Sequence, residues 1–274
     1  MPQDFTLHTH SIGFDGRNTV AEMVARADEL GFGAIGISNH FILHPEIERA
    51  RFYSFSVARG YQNIYNASLD AIMNLFLPHY DNLAQIADAS NVRVLRGIEV
   101  DFFDAAIWQR DFERAIKILR PDYIIGACHF IEYDGILCNV HDMANADEFA
   151  RDEMLKLYWA KVQSAATSGL FTWMAHLDLP KKVGLGQDDK WAELEQKTIE
   201  TISQHNMAIE INTGLESEPY PSKRILDHMA QYNVPVLLSD DAHAADQIGR
   251  RFDVATGLCS DCGITNFYIP DCVK

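Results

Sequence analysis

Short runs rich in apolar and β-branched residues alternate with longer amphipathic stretches along the whole chain, and this alternation limits the possible folds more than any other feature. The strand candidates are Phe5–His10, Ala34–Ser38, Arg93–Val100, Tyr123–Cys128, Phe171–Ala175, Ala208–Asn212 and Pro235–Ser239. Helical periodicity falls between them. Thr19 with Glu22 three residues on reads as a capping box opening a helix with apolar positions at Val20, Met23, Val24, Ala27 and Leu30, stopped at Gly31. Further helices are expected over Ile107–Leu119, Ala146–Ser168, Trp191–His205 and Ser222–Tyr232. Repeated βα units of this kind build a parallel sheet or barrel, and 274 residues suit one barrel-sized domain. The rhythm breaks over residues 41–90 in an aromatic stretch, Arg51-Phe-Tyr-Ser-Phe and Tyr61-Gln-Asn-Ile-Tyr65, followed by a helix. Because the repeat resumes directly after it, this segment reads as an insertion on a single domain spanning 1–274.

In a βα barrel the groups that do chemistry gather where the strands end, because the βα loops form one rim there. The residues at or after the strand ends are His8 and His10, His40, Glu99, His129, His176, Asn212, then Asp241 and His243. The spacing of His8-Thr9-His10 puts both imidazoles on one face of a strand, and Asp241-Ala-His243 repeats it with a carboxylate. Asp15, in the loop after the first strand, adds an oxygen to the same rim. Six of the eleven histidines fall at five strand ends. The other five fit ordinary roles: His205 in the last turn of a helix, where positive charge is favoured, His228 within a helix, and His44, His79 and His141 in loops or the insertion. Leaving Asn212 aside, the nine candidate ligands (His8, His10, Asp15, His40, Glu99, His129, His176, Asp241 and His243) exceed what one ion uses, so two or three ions are expected, with Glu99 as the bridge.

Charge and cysteine content narrow the classes. With 23 Lys and Arg against 39 Asp and Glu, the net charge is −16, which argues against a nucleic-acid partner. No apolar run approaches the roughly eighteen residues that span a bilayer, and the start lacks the basic and apolar regions of a signal peptide, so a cytoplasmic protein with no membrane partner is expected. The five cysteines are scattered. Cys259-Ser-Asp-Cys262 is the one suggestive spacing, but a structural zinc needs four ligands and no second pair exists.

The segments Leu7-His-Thr-His-Ser11, Ser38-Asn-His40, Gly97-Ile-Glu99, Ala127-Cys-His-Phe130, Ala175-His-Leu-Asp178 and Ser239-Asp-Asp-Ala-His243 resemble, in order, the motifs of the polymerase-and-histidinol-phosphatase superfamily of metallophosphoesterases. Glu210-Ile-Asn-Thr-Gly214, Tyr220-Pro-Ser222 and Gly249 are similar to its histidinol-phosphatase branch in particular. The resemblance implies an α/β fold, a distorted (β/α)7 TIM-like barrel with a three-metal site at the carboxyl ends of the strands. It also implies the ligand sets: His8, His10, Glu99 and Asp241 for one ion, Glu99, His129 and His176 for the second, Asp15, His40 and His243 for the third. Three divalent ions, zinc, manganese or iron, are the expected cofactors. An aspartate at position 15 favours manganese or iron over zinc at the third.

The expected function is hydrolysis of a small phosphomonoester, most simply L-histidinol phosphate in histidine biosynthesis, by a metal-activated hydroxide attacking phosphorus in line. Glu99, Asp241 and His243 are the expected catalytic residues. Arg17, Lys181, Lys182 and Arg250, with Arg251, are candidate phosphate clamps, and Asp178, Glu216 or Glu218 could face the substrate's ammonium. Because Leu215-Glu-Ser-Glu218 is acidic where that branch carries a basic residue, another small phosphate ester, or nucleotide and DNA ends, stays open as the substrate. An amidohydrolase would place a bridging lysine at a middle strand end, where this chain has Glu99. A non-catalytic metal-binding module would be expected to have lost ligands, and none of the nine is missing.

Overall fold

The computed structural model describes residues 3–274. Its strands are β1 (Phe5–Thr6), β2 (Ala34–Ile37), β3 (His40–Leu43), β4 (Tyr65–Asn66), β5 (Arg93–Asp101) and β6 (Tyr123–Ala127), followed by β7 (Phe130–Tyr133), β8 (Ile136–Asn139), β9 (Trp173–Met174), β10 (Ala208–Asn212) and β11 (Val236–Ser239). The helices are α1 (Val20–Glu29), α2 (Tyr53–Ala58), α3 (Leu69–Asp88), α4 (Ala106–Leu119), α5 (Val140–Ala144), α6 (Glu148–Thr167), α7 (Ala192–Gln204), α8 (Lys223–Gln231) and α9 (Phe252–Asp261). Seven strands pair in parallel in the order β1-β2-β5-β6-β9-β10-β11, one from each βα unit. The expected TIM-like barrel is therefore the fold.

The barrel closes between its first and last strands with little regular ladder. His10 N–H donates to the Ala242 carbonyl at 2.8 Å, and Ala242 N–H to the His8 carbonyl at 3.2 Å. Lower down, the Gln3 side-chain amide replaces a strand: its Oε1 accepts from Leu238 N at 2.9 Å and its Nε2 donates to Leu238 O at 2.8 Å. The first strand is regular only over Phe5–Thr6, shorter than the expected Phe5–His10, and beyond it the chain pairs with the last strand only through the isolated contacts around Ala242. The same shortening affects Phe171–Ala175, of which only Trp173–Met174 keeps strand geometry.

Two apolar layers hold the barrel. Inside it, Phe5, Leu7, Leu95, Tyr123, Ile125, Trp173 and Leu237 fill the interior, with Tyr123 and Trp173 stacked at 5.0 Å. Gly36 and Gly97 make room for that plug, since a Cβ at either would lie 2.0 Å and 2.3 Å from the Tyr123 ring system. Outside it, the helices bury one face each; α1 presents Val20, Met23, Val24 and Ala27, and its Thr19–Glu22 capping box forms as expected. Burial of such side chains at about 25 cal/mol per Å2 is the main stabilising term.

Several elements stand outside the expected set. An antiparallel hairpin joins β7 to β8 through Asp134 and Gly135, both at positive φ, the turn chemistry that Asp-Gly favours. The short helix α5 follows it directly, and α9 packs against β11. Within the 41–90 segment, β3 and β4 pair in parallel, α2 follows β3, and α3 packs on β5 as the crossover helix between β2 and β5. Among the described residues no helix is long and apolar enough to cross a membrane.

Candidate metal centre

Strand register brings the distant residues together. The β3–β5 ladder pairs His40 with Glu99, and β5 carries Asp101 on the same face two residues on. His8 and His10 sit in the closing seam beside Ala242, which places Asp241 and His243 across from them. Asp241 adopts a left-handed backbone at φ 47°, uncommon for a residue with a side chain. Arg250 anchors this loop by donating to the carbonyls of Asp240 at 3.1 Å and Gly214 at 3.1 Å.

Glu99 is the centre of the cluster. It is 1 % exposed, and its two oxygens face five imidazole nitrogens. Oε2 lies 3.4 Å from His8 Nε2, 3.6 Å from His10 Nε2 and 2.7 Å from His40 Nδ1; Oε1 lies 3.3 Å from His129 Nε2 and 2.9 Å from His176 Nε2. Asp241 Oδ1 is 3.2 Å from His10 Nε2 and 3.5 Å from His8 Nε2. Asp15 Oδ2 stands 3.1 Å from both His40 Nε2 and His243 Nε2, and its Oδ1 3.5 Å from His10 Nδ1. All nine residues named from the sequence are thus in one site. Potential ligand atoms converge in three groups: His8, His10 and Glu99; His40, Glu99 and His129; and His10, Asp15, His40 and His243. The rings of His10 and His40 each serve two groups, one nitrogen apiece, a sharing that sequence spacing does not reveal.

The donor set fits divalent ions. His8 Nε2, both nitrogens of His10, His40 Nδ1, Asp15 Oδ1 and Glu99 Oε2 are buried without a hydrogen bond, although buried polar atoms are nearly always paired. Apart from His40 Nδ1 and Glu99 Oε2 at 2.7 Å, the ion-pair contacts among them run from 3.4 to 3.6 Å around shared space, which is the geometry of ligands around a cation. Electrostatics agree. Burial alone would raise the carboxyl pKa values of Asp15, Glu99 and Asp241, but the surrounding histidines hold all three well below the usual range. Burial would lower His8 and His40, yet the carboxylates around them carry both well above 6.5. His10 is pushed down to about 4 by burial, with His243 and His40 adding to the effect.

Further residues hold the site in place. Asn39 accepts from Ser11 N at 2.8 Å and lies 3.0 Å from His79 Nε2 on α3, and burial lowers His79 to about 4, so that its neutral ring can accept the amide proton. Asp101 accepts from His129 N and from Lys161 Nζ, each at 3.2 Å. Asp101 and Lys161 were not expected from the sequence; Asp101 was detectable as a second acid two residues after Glu99.

A cavity of about 320 Å3 opens above the cluster. Asp15, His40, His129, His176, Asp241 and His243 line its floor, and the wall comes from the 41–66 segment (Phe52, Phe55, Arg59, Tyr61, Tyr65) and from Asn139 and His141. Phe52 stacks on His141 at 5.4 Å, and the Arg59 guanidinium lies 3.8 Å from the Phe55 ring centre. Of the clamp candidates, Lys182 lines this cavity. Arg17, Lys181, Arg250 and Arg251 lie outside the lining: Arg17 is exposed, with its backbone N–H donating to His243 O at 2.7 Å, Lys181 is buried with Nζ donating to Pro219 O at 2.6 Å, and Arg250 and Arg251 donate to backbone carbonyls. Asp178, Glu216 and Glu218 also lie outside the lining, Asp178 being held by Ser222 N at 2.8 Å. His141 and Arg59, absent from the expected set, belong to it. Among the described residues the metal-capable groups contain no cysteine, and Cys259 and Cys262 are free thiols on and just after α9.

A PHP domain model matches residues 4–214. A Deinococcus radiodurans protein named "Probable histidinol-phosphatase" is 30% identical over 179 residues, 64% of this chain and 67% of its own length. A Schizosaccharomyces pombe protein of the same name is 31% identical over 90 residues, 31% of this chain and 29% of its own. Among solved structures, a Listeria monocytogenes protein bearing a histidinol phosphatase name superposes with a TM-score of 0.72 at 21% identity, covering 91% of this chain and 99% of that one. Histidinol phosphate phosphatase from Lactococcus lactis, solved with zinc, L-histidinol and phosphate, gives 0.66 at 17% identity, covering 98% and 97%.

Proposed function

Because the chain belongs to the PHP domain family, we propose that it is a metal-dependent phosphomonoesterase converting L-histidinol phosphate and water to L-histidinol and phosphate. One observation carries this reading: a buried carboxylate, Glu99, faces five imidazole nitrogens at the floor of a cavity sized for a small ester. Three divalent ions, drawn from zinc, manganese and iron, account for the three groups of converging ligand atoms, several of them buried without a hydrogen bond. When bound, such ions supply positive charge against the phosphoryl oxygens and acidify water at the site. The domain is a single barrel carrying the 41–90 segment, of which residues 41–66 shape the cavity wall while α3 serves as the crossover helix between β2 and β5. A cytoplasmic biosynthetic role follows from the same reading.

The chain's own residues then divide the work. Glu99, Asp241 and Asp15 would hold the ions and be neutralised by them, so the net charge of −16 would not describe the floor of the cavity. His243 and His40 stand at the exposed side of the cluster, next to Asp15. Arg59 and Lys182 are the two long cations in the lining and meet the phosphate or its approach. Asp15 and Asp241, both in the cluster, are the only carboxylates in the lining, so a substrate ammonium faces the rings of Phe52, Tyr61 and Tyr65. Replacing Arg59 or Lys182 by alanine raises KM several-fold with a smaller change in kcat, since each acts on binding rather than on the reacting bond. Steady-state kinetics on the single variants checks this.

The functional test is phosphate release by zinc- or manganese-loaded protein from histidinol phosphate, a panel of sugar and nucleotide monophosphates, and DNA bearing terminal phosphates. The reading predicts that histidinol phosphate is the best substrate by kcat/KM. Preference for DNA ends, or release from none of them, overturns it.

A further inference from the structure

Glu210 lies in the middle of β10, 0 % exposed, in a barrel interior otherwise filled by apolar side chains. A buried carboxylate is costly unless donors satisfy it, so its partners reveal its purpose. Its Oε2 lies 2.9 Å from His8 Nδ1 and 3.4 Å from Trp173 Nε1; its Oε1 lies 3.0 Å from His176 N and 2.5 Å from Asn212 Nδ2. Asn212 is itself oriented, because its Oδ1 accepts from Gly214 N at 2.7 Å. Every lone-pair direction of Glu210 is thereby aimed at a donor, and Glu210 belongs to none of the ligand groups.

His8 is the one histidine of the cluster whose outer nitrogen meets a buried carboxylate within 3 Å. Its other nitrogen, Nε2, has no hydrogen bond and faces the gap between Glu99 and Asp241. We infer that Glu210 is a positioning residue: it holds the His8 proton on Nδ1, fixes the ring, and so leaves the Nε2 lone pair directed at the ion shared with Glu99 and Asp241. Through the His176 backbone N–H the same carboxylate fixes a second strand end. This rests on the metal reading above. Such a partner raises the basicity of the ligating imidazole, and its loss typically weakens metal affinity by about 10–100-fold.

The isosteric change Glu210→Gln discriminates sharply. In one orientation its NH2 replaces Oε1 and meets two fixed donors, His176 N–H and Asn212 Nδ2. In the other it replaces Oε2 and meets Trp173 Nε1–H and His8 Nδ1, and only His8 can adapt, by accepting at Nδ1 and moving its proton to Nε2. The second orientation is preferred, and it turns the ligand nitrogen into a donor aimed at the ion.

The experiment titrates metal-free wild-type and Glu210→Gln protein with zinc against a chromophoric chelator, alongside thermal unfolding of both metal-free proteins. The inference expects the tightest site to weaken about 10–100-fold in the variant, beyond any change in unfolding temperature. Equal zinc affinity in the two proteins overturns the role of Glu210, whereas absence of zinc binding by wild type overturns the metal reading itself. Long-range 1H–15N spectra of zinc-loaded wild type need no variant: they should report His8 protonated at Nδ1 and coordinated through Nε2. Coordination through Nδ1 overturns the inference.

Discussion

Glu99→Gln reduces phosphate release by at least about 10^3-fold, equivalent to roughly 4 kcal/mol of transition-state stabilisation, and lowers the metal content of the protein by about two ions per chain. The expectation follows from position. Glu99 alone places one oxygen among His8, His10 and His40 and the other between His129 and His176. A glutamine keeps the shape, but it removes the negative charge that lets cations sit close together and puts a donor where a ligand oxygen belongs. Five imidazoles then surround a neutral group. Elemental analysis of dialysed protein together with a phosphate-release assay checks both halves. Unchanged stoichiometry with lost activity would mean that Glu99 acts in the chemistry without bridging.

Stripping the ions with a chelator abolishes activity, and adding back zinc, manganese or iron restores it. Metal binding also releases protons at pH 7. In the metal-free protein burial works against charge on His8 and His40, but Glu210, Asp241 and Glu99 around His8, and Glu99 and Asp15 around His40, raise both pKa values well above 6.5, so both rings carry an extra proton at neutral pH. An ion must displace those protons, and its apparent affinity therefore rises with pH through the neutral range. Calorimetric zinc titrations in two buffers of different ionisation enthalpy measure the release directly. Proton-neutral binding at pH 7 would place the ion away from these histidines.

Much of this was legible in the sequence because it rests on periodicity and on residues at fixed points of a repeat. The alternation of strands and helices gave the barrel, and the residues at the strand ends gave eight of the nine members of the cluster, with Asp15 from the loop after the first strand as the ninth, since a parallel barrel delivers all strand ends to one rim. What escaped depends on contacts across the chain. The β7–β8 hairpin was signalled by Asp134-Gly135 between apolar runs, yet it lies inside a βα connection where the repeat predicts a helix. The clamp candidates were chosen by charge, and charge alone does not show that Arg250 spends its donors on backbone carbonyls or that Lys181 is buried against Pro219. Arg59 and His141 were hidden for the opposite reason, in segments whose folding back over the strand ends no local pattern reveals. Glu210 was visible as an acid within an apolar strand, Ala208-Ile-Glu-Ile-Asn212, the pattern of a buried charge with a dedicated partner.

The most direct test of the account is an anomalous-difference map of zinc- or manganese-loaded crystals soaked with phosphate. The account predicts ions in the space between Glu99 and the strand-end histidines, at least two of them coordinated by Glu99, with phosphate on the same ions at the floor of the cavity walled by Arg59 and Lys182. Ions absent from Glu99, or phosphate bound away from the cluster, would contradict it.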